Sequence, residues 1–211
     1  MERLARLSAI LVLLQGIAVI IGWHLKLPWL IQVLPELVPM QYNTALGLLL
    51  SAVGLWAVIE QRRALVLGVT VPVGLLGLLT LAQYLLEIDL GIDQMLMAHF
   101  ITVGTTHPGR MAPNTALSFI LIAVILLLMS SAERSWRWIL AGIAAGILTG
   151  LGFVVLLGYL LDLPSAYGWA QLTEMAPQTA LTLLRNSSTP NKNSPSIARI
   201  CKRWSRSAPA P

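Results

Sequence analysis

Long apolar runs constrain this chain more than any other feature of its sequence. A helix needs about 20 apolar residues to cross the roughly 30 Å hydrocarbon core of a bilayer. Five segments reach or approach that length without any Asp, Glu, Lys, Arg or His: residues 7–23, 37–59, 64–86, 111–129 and 138–161. The runs are continuous rather than alternating, which favours helices over membrane strands. We therefore predict an all-α, polytopic helical membrane protein with five full transmembrane helices.

Composition excludes an ordinary soluble enzyme. The chain is 56% apolar and 11% charged, with a mean hydropathy of +0.76, whereas soluble domains are about 25% charged. Six of the 14 Lys and Arg residues lie in the last 27 residues. This distribution favours the lipid bilayer as a partner and gives no reason to expect nucleic acid. The single cysteine, Cys201, excludes a disulfide framework. We expect no cofactor, no metal and no catalytic residues.

The short connections carry unequal positive charge, which predicts an orientation. One side holds six arginines and the other holds two basic residues, as follows: Arg3, Arg6, Arg62, Arg63, Arg134 and Arg137 against Lys26 and Arg110. Because Lys and Arg accumulate on the cytoplasmic side, we expect a multi-pass protein of the bacterial inner membrane with a cytoplasmic N-terminus. Residues 24–36, 87–110 and 162–174 are then outside.

A seven-residue pattern occurs three times. It reads Met-Gln-Tyr-Asn-Thr-Ala-Leu at residues 40–46, Met-Ala-Pro-Asn-Thr-Ala-Leu at 111–117 and Met-Ala-Pro-Gln-Thr-Ala-Leu at 175–181. Each heptad follows an apolar helix and a predicted external loop, and opens the returning helix. We therefore predict three helical-hairpin repeats, at about residues 5–63, 64–137 and 138–184, which together form a membrane-embedded domain over residues 1–184.

The third unit is expected to be incomplete. Its returning helix runs from about residue 176 to residue 184, and nine or ten residues are too few to cross a bilayer. From residue 185 to residue 211 the chain is rich in Ser, Pro and Asn, contains six Lys and Arg and has no acidic residue. Such a basic tail is expected to be disordered. It has the composition of a truncated or frame-shifted gene product, and a genuine cytoplasmic or interfacial tail is the alternative.

A resemblance rests on these heptads. The stretch Gly-Arg-Met-Ala-Pro-Asn-Thr-Ala-Leu at residues 109–117, with Tyr-Leu-Leu-Glu-Ile-Asp before it at 84–89, resembles the membrane-embedded N-terminal sensor regions of bacterial signalling proteins. In that family the membrane part precedes histidine kinase, PAS or diguanylate cyclase modules. The resemblance covers residues 5–184 and implies a sensory input module. No output module is present in this chain, so we expect no signalling by the chain alone.

The heptads also supply the candidate ligand-binding residues. Three helix starts that carry the same polar pair, with a basic residue beside the second, are expected to converge on a pocket near the outer interface, since helix N-termini favour anions and carbonyl groups. These residues are Asn43, Thr44, Arg110, Asn114, Thr115, Gln178 and Thr179. The simpler alternative is local: Asn accepts from free N–H groups of the first turn, and Arg110 pairs with loop carboxylates or lipid headgroups.

Further patterns predict helix packing. Gly142, Gly146 and Gly150 form one smooth face of the fifth span, and an internal contact is favoured over one with a homodimer partner or another membrane protein. Polar residues inside the spans, Gln15 and Gln83 among them, are expected to join helices by hydrogen bonds. Met95, Met97, His99 and His107 could hold copper, and His24, His99 and His107 could sense pH, but packing at the membrane interface is favoured over both.

These inferences combine into one leading hypothesis and two alternatives. The leading one is a membrane-bound sensory input module that lacks its cytoplasmic output domain. The first alternative is a small repeat-built transporter or channel, which the absence of charged residues inside the spans disfavours. The second is a membrane partner subunit that binds another protein through the Gly142 face.

Overall fold

Apolar helices make up the regular structure of this protein. The computed structural model describes residues 2–101, 103, 107–130, 135–161 and 175–186. These residues contain seven helices and no strand, namely α1 (Glu2–Leu25), α2 (Pro28–Ile31), α3 (Tyr42–Ile59), α4 (Arg63–Leu85), α5 (Pro113–Met129), α6 (Ser135–Leu160) and α7 (Pro177–Asn186). Four of them, α1, α3, α4 and α6, are long and apolar enough to span a membrane. The prediction of an all-helical membrane protein is confirmed at that level.

The predicted start of the second span is wrong. We expected a helix from residue 37, but α3 begins at Tyr42. Pro35 and Pro39 explain the difference, because proline lacks an N–H donor and disfavours helical geometry in the residue before it. Residues 32–41 instead form an irregular connection, and Gln41 is extended, with φ −64° and ψ 150°.

The helix α5 falls short of the predicted span at its start. It begins at Pro113 rather than at residue 111, and Pro113 occupies its first turn, where a missing N–H costs nothing. Its 17 residues measure about 25 Å. It is apolar along its whole length but is one residue shorter than α3.

The helices pack as a closed ring. Along the chain α1 contacts α3, α3 contacts α4, α4 contacts α5, α5 contacts α6 and α6 contacts α7, and α7 returns to α1. The helices α3 and α5 also contact each other. We call the end that carries residues 24–41, 86–101 and 107–112 the loop end, and the opposite end, with residues 59–63, the turn end.

Within this ring, the returning helices are the more buried and form an inner layer, and the outgoing helices form an outer layer. In the apolar window of α3, 61% of the residues are buried, against 22% in α1 and 33% in both α4 and α6. The helix α5 buries most of its length, including Phe119, which is fully buried against Gly47 of α3. An outer layer with exposed Leu and Ile side chains around an inner layer suits a protein surrounded by lipid.

Glycine allows close contact within each hairpin. A methyl group placed on a glycine of the outgoing helix would lie 2.6–3.1 Å from an alanine carbonyl oxygen in the first turn of the returning helix. The three pairs are Gly16 with Ala45, Gly77 with Ala116 and Gly152 with Ala180. A side chain cannot fit at these points without moving the helices apart.

The other glycine motif lies on a different surface. Gly142, Gly146 and Gly150 are exposed on α6, and no atom of the described structure lies within 4 Å of a methyl group built on any of them. The expected internal contact is therefore wrong for the described part of the chain. The buried face of α6 runs through Ala141 and Leu148 instead. Contact with another protein stays a prediction.

Two sequence predictions fall on residues outside the description. The predicted third external loop, 162–174, lies wholly outside it. The predicted tail, 185–211, lies outside it except for Arg185 and Asn186, which end α7.

Candidate functional site

Aromatic side chains tie the outgoing helices to the heptads at the loop end. Each of three aromatic residues, placed seven residues after the close-contact glycine of its helix, donates a hydrogen bond to the carbonyl oxygen of the first heptad residue. The bonds run from Trp23 Nε1 to Met40 (2.9 Å), from Tyr84 Oη to Met111 (3.0 Å) and from Tyr159 Oη to Met175 (2.6 Å). All three methionines are fully buried. The three hairpins therefore share one glycine contact and one aromatic bond.

The heptads start their helices at equivalent positions. The third residue of each heptad is the first of its helix: Tyr42, Pro113 and Pro177. The sixth residue, an alanine, donates its N–H to the carbonyl of the second residue in all three cases, over 3.0, 2.9 and 3.3 Å. The N–H groups in the first turn of each helix have no partner within that helix, so other groups have to accept their hydrogen bonds.

The heptad amides bind loops rather than lining one open pocket. Asn43 Nδ2 donates to the carbonyl of Ile92, 3.0 Å away in the loop that follows α4. Gln178 Nε2 donates to the carbonyl of Ile31, 2.6 Å away in the connection that follows α1. Each bond thus joins a helix start to the loop of a different hairpin. Both acceptors lie eight residues after the aromatic donor of their hairpin, Tyr84 or Trp23.

Asn114 behaves differently. Its Oδ1 accepts from the N–H of Thr115 over 3.0 Å, as the local alternative predicted, and its Nδ2 is buried without a hydrogen-bond partner. The threonines of the three heptads, Thr44, Thr115 and Thr179, are all buried. In the described contacts, neither Asn43 nor Gln178 accepts a hydrogen bond from its own helix through its side-chain oxygen, and the NH2 group of each donates to another segment.

Arg110 forms the centre of a buried polar cluster. Its Nε donates to Asp93 Oδ2 over 2.8 Å, and the two side chains are only 4% and 9% exposed. Gln83, at the end of α4, donates to the other oxygen of Asp93 over 3.0 Å and accepts from the N–H of Leu90 over 2.8 Å. The guanidinium also lies over the Tyr84 ring, 5.3 Å from its centroid. Arg110 therefore pairs with a loop carboxylate, as the simpler alternative predicted, but this ion pair is buried.

The cluster joins four segments of the chain. Gln83 belongs to α4 and Asp93 to the following loop, and Arg110 immediately precedes the second heptad. Asn43 of α3 approaches the backbone carbonyl of Asp93 to 3.4 Å. Gly109 permits this arrangement, since it has φ +81° and a methyl group there would lie 2.7 Å from the same carbonyl oxygen.

A cleft of about 400 Å³ opens beside the cluster. Its walls are formed mainly by Gln83, Tyr84, Glu87, Asp89, His107 and Arg110. Of the seven predicted ligand-binding residues, only Arg110 lines this cleft. Asp89 is 78% exposed and lies 3.7 Å from Arg110, so the rim is acidic while the base carries the buried cation. A small polar molecule fits such a cleft by volume.

Sequence reasoning missed Asp93 and the role of Gln83. Gln83 was expected only to join helices, and Asp93 was counted among loop acids with no particular partner. The sequence offered one indication of this cluster: a polar residue, Gln83, ends an apolar helix, and a basic residue, Arg110, directly precedes the next heptad. Nothing in that pattern identifies which of the loop acids approaches Arg110.

The loop histidines pack against aromatic rings. His99 lies 5.3 Å from Trp23, centroid to centroid, and both of its ring nitrogens are without a hydrogen-bond partner. Partial burial lowers the pKa of His99 below its usual value. His107 meets the edge of Tyr84 at 5.9 Å. In the described part of the chain no three His, Cys, Asp or Glu side chains come together as a metal site would require.

The comparisons with known proteins identify no relative. No family model, no curated protein and no solved structure matches the chain. The resemblance of the heptads to bacterial sensor regions therefore stays a prediction.

Proposed function

We propose that this protein is the membrane-embedded sensory input module of a bacterial signalling protein. One observation carries the proposal: the cleft beside Arg110 is bounded by the same side chains that tie α4 to the start of α5. A molecule in the cleft contacts the partly buried Tyr84 and lies next to the buried Gln83 and Arg110. It therefore acts on the contacts that set how these two helices pack.

The mechanism is a shift between two packing arrangements. Tyr84 bonds to the carbonyl of Met111, and Gln83 and Arg110 both bind Asp93. A ligand that competes for any of these groups changes the relative stability of the two arrangements, by as much as its affinities for them differ. The change passes along α4 and α5, about 35 Å and 25 Å long, to the turn end.

The orientation and the full architecture belong to the same proposal. The loop end faces outwards and the N-terminus is cytoplasmic, in the bacterial inner membrane. Five helices cross the bilayer, namely α1, α3, α4, α5 and α6, and α7 is the start of a sixth span. Three hairpins, α1 with α3, α4 with α5 and α6 with α7, are internal repeats. The recurring glycine contacts and the recurring aromatic bonds to methionine support this description.

The function is tested by ligand binding and flux together. The full chain in lipid nanodiscs is screened for small polar molecules that raise its thermal unfolding temperature. Binding at the cleft is expected to weaken in Glu87→Gln and in His107→Gln, while Lys26→Gln, which removes a loop-end charge elsewhere, serves as the control. A sensor binds such a molecule without moving it across proteoliposomes. Saturable uptake of the same molecule would instead establish a transporter.

A partner subunit is the second candidate, and the exposed glycines of α6 favour it. Gly142, Gly146 and Gly150 leave a smooth strip that no other described residue covers. Smooth strips of this kind allow close approach of a transmembrane helix. If a partner binds there, Gly146→Leu abolishes co-purification of that partner. Gly68→Leu is the matched control, since Gly68 of α4 is equally uncovered.

A further inference from the structure

An apolar slot lies near the turn end of the helices, whereas the cleft beside Arg110 lies at the loop end. It measures about 330 Å³ and its surface is almost entirely apolar. Its walls come from three helices, with Ile10 and Leu13 on α1, Val53 and Trp56 on α3 and Leu65 on α4. The two outer helices thus flank the slot and the inner helix forms its floor. Small side chains at Ala9 and Ala52 leave the space open.

Basic residues stand at the end of this slot. Arg6 lies one helical turn before Ile10, and its guanidinium is 5.9 Å from the centroid of the Trp56 ring. The order Arg3, Arg6, Ile10 and Leu13 follows helical spacing, so that the basic and apolar residues share one face of α1. Arg62 is exposed immediately before α4, three residues from Leu65.

The Arg6 charge is only weakly held by the protein. Its one described ion pair, with Glu60 at 3.1 Å, involves side chains that are 45% and 37% exposed. Pairs with that much exposure contribute little to stability, so an external anion can compete for the arginine. In the two segments beside the slot entrance, residues 2–6 and 60–63, four arginines stand against two glutamates, Glu2 and Glu60. The slot entrance therefore carries net positive charge.

We propose that the slot binds one acyl chain of an anionic phospholipid, with the phosphate held by Arg6 and assisted by Arg62. An apolar slot that ends at arginines matches a lipid chain below its headgroup, and basic pockets between helices are known to select anionic lipids. The inference requires only that the chain sits in a membrane, and it does not depend on the sensory function.

Native mass spectrometry of the full chain tests the proposal. The detergent-purified protein is incubated with equal amounts of phosphatidylglycerol and phosphatidylcholine that carry identical chains. We expect phosphatidylglycerol to bind about fivefold more tightly, the effect of one basic residue near an anionic group. Equal binding of the two lipids would overturn the proposal, since it would mean that the slot does not select charge.

Two charge variants give opposite expectations. Arg6→Gln lowers phosphatidylglycerol binding about fivefold, because the phosphate loses its main partner. Glu60→Gln raises it, because Arg6 is released from its ion pair and a nearby negative charge disappears. Both variants change phosphatidylcholine binding less, because the choline cation of that lipid offsets the charge of its phosphate. A role of this pair in folding alone would move both variants in the same direction, and that result would also overturn the proposal.

Filling the slot tests where the chain lies. Leu65→Trp is expected to lower the binding of both lipids, since the larger side chain occupies the slot. Leu67→Trp is the control, because Leu67 is a similarly exposed leucine of α4 that does not line the slot. Equal lipid binding by the two tryptophan variants would place the lipid elsewhere and contradict the assignment.

Discussion

Both carboxylate oxygens of Asp93 accept hydrogen bonds, and Oδ2 accepts one from Arg110 Nε over 2.8 Å. Gln83 binds the other oxygen at 3.0 Å. An ion pair this buried is stable only when its hydrogen bonds are satisfied, because both charges have left water. The pair fixes the loop that follows α4 against the start of α5. It is thus the main structural determinant of the cleft.

Removing one partner of this pair is expected to be costly. Asp93→Ala leaves the Arg110 charge buried, and we predict a loss of about 3–5 kcal/mol in the free energy of unfolding. SDS titration in mixed micelles measures it. The double variant Asp93→Ala/Arg110→Met should lose less than Asp93→Ala alone, since no charge remains buried. A double variant that is less stable than Asp93→Ala would show that the pair is not coupled in this way.

Close packing at Gly77 gives a second prediction. A methyl group there would lie 2.6 Å from the carbonyl oxygen of Ala116, so Gly77→Ala should destabilise the protein by about 1–3 kcal/mol through forced separation of α4 and α5. Gly68→Ala, on the same helix with open space around it, should be neutral or stabilising by up to about 1 kcal/mol. Thermal unfolding of the two variants compares them directly. Equal gains at the two sites would mean that helix propensity, and not the contact, governs both.

The aromatic bonds to the heptad methionines provide a third test. Tyr84→Phe and Tyr159→Phe each leave a partly buried carbonyl without its donor, and each is expected to cost about 1 kcal/mol. Tyr42→Phe is the matched control, because the Tyr42 hydroxyl makes only an exposed contact with His24 at 3.3 Å. A loss from Tyr42→Phe as large as that from the other two would contradict a special role for these bonds.

His99 should make stability depend on pH. Burial lowers its pKa in the folded protein, whereas the unfolded chain titrates near 6.5. Its contribution is therefore complete above pH 6.5 and is lost as the pH falls from 6.5 through the lowered folded pKa, because the unfolded state binds the proton first. We predict that His99→Phe flattens the fall in unfolding temperature between pH 7.5 and pH 5.5. An equally steep fall in His99→Phe and in the native protein would contradict this assignment.

The positions of the helices could be predicted from sequence because they depend on local pattern. A continuous apolar run must satisfy its backbone within the segment, which requires a helix, and the heptads mark where α5 and α7 begin. The start of α3 was misplaced because the apolar residues 37–40 extend the run across Pro39. In that region backbone restriction outweighs hydropathy.

The site depended on long-range contacts that no local pattern encodes. Gln83 and Arg110 are 27 residues apart, and Asn43 reaches a carbonyl 49 residues further along the chain. Only Arg110 among the predicted binding residues lines the cleft, since the heptad amides are used to hold loops. The glycines of α6 illustrate the same limit: their spacing predicts a smooth face, but not whether another element covers it.

In the proposed mechanism, the loop-end cluster controls helix packing at the turn end. Distances between spin labels at Gln61 and Trp136, measured by pulsed electron resonance in nanodiscs, test it most directly. The comparison is between the otherwise native protein and Asp93→Asn/Arg110→Gln, which removes both charges but keeps side chains that can hydrogen-bond. We predict that the distribution of distances between the two labels is shifted in the variant while the fold is retained. An unchanged distribution in a folded variant would contradict it, because the cluster would then have no influence on the far end of the helices.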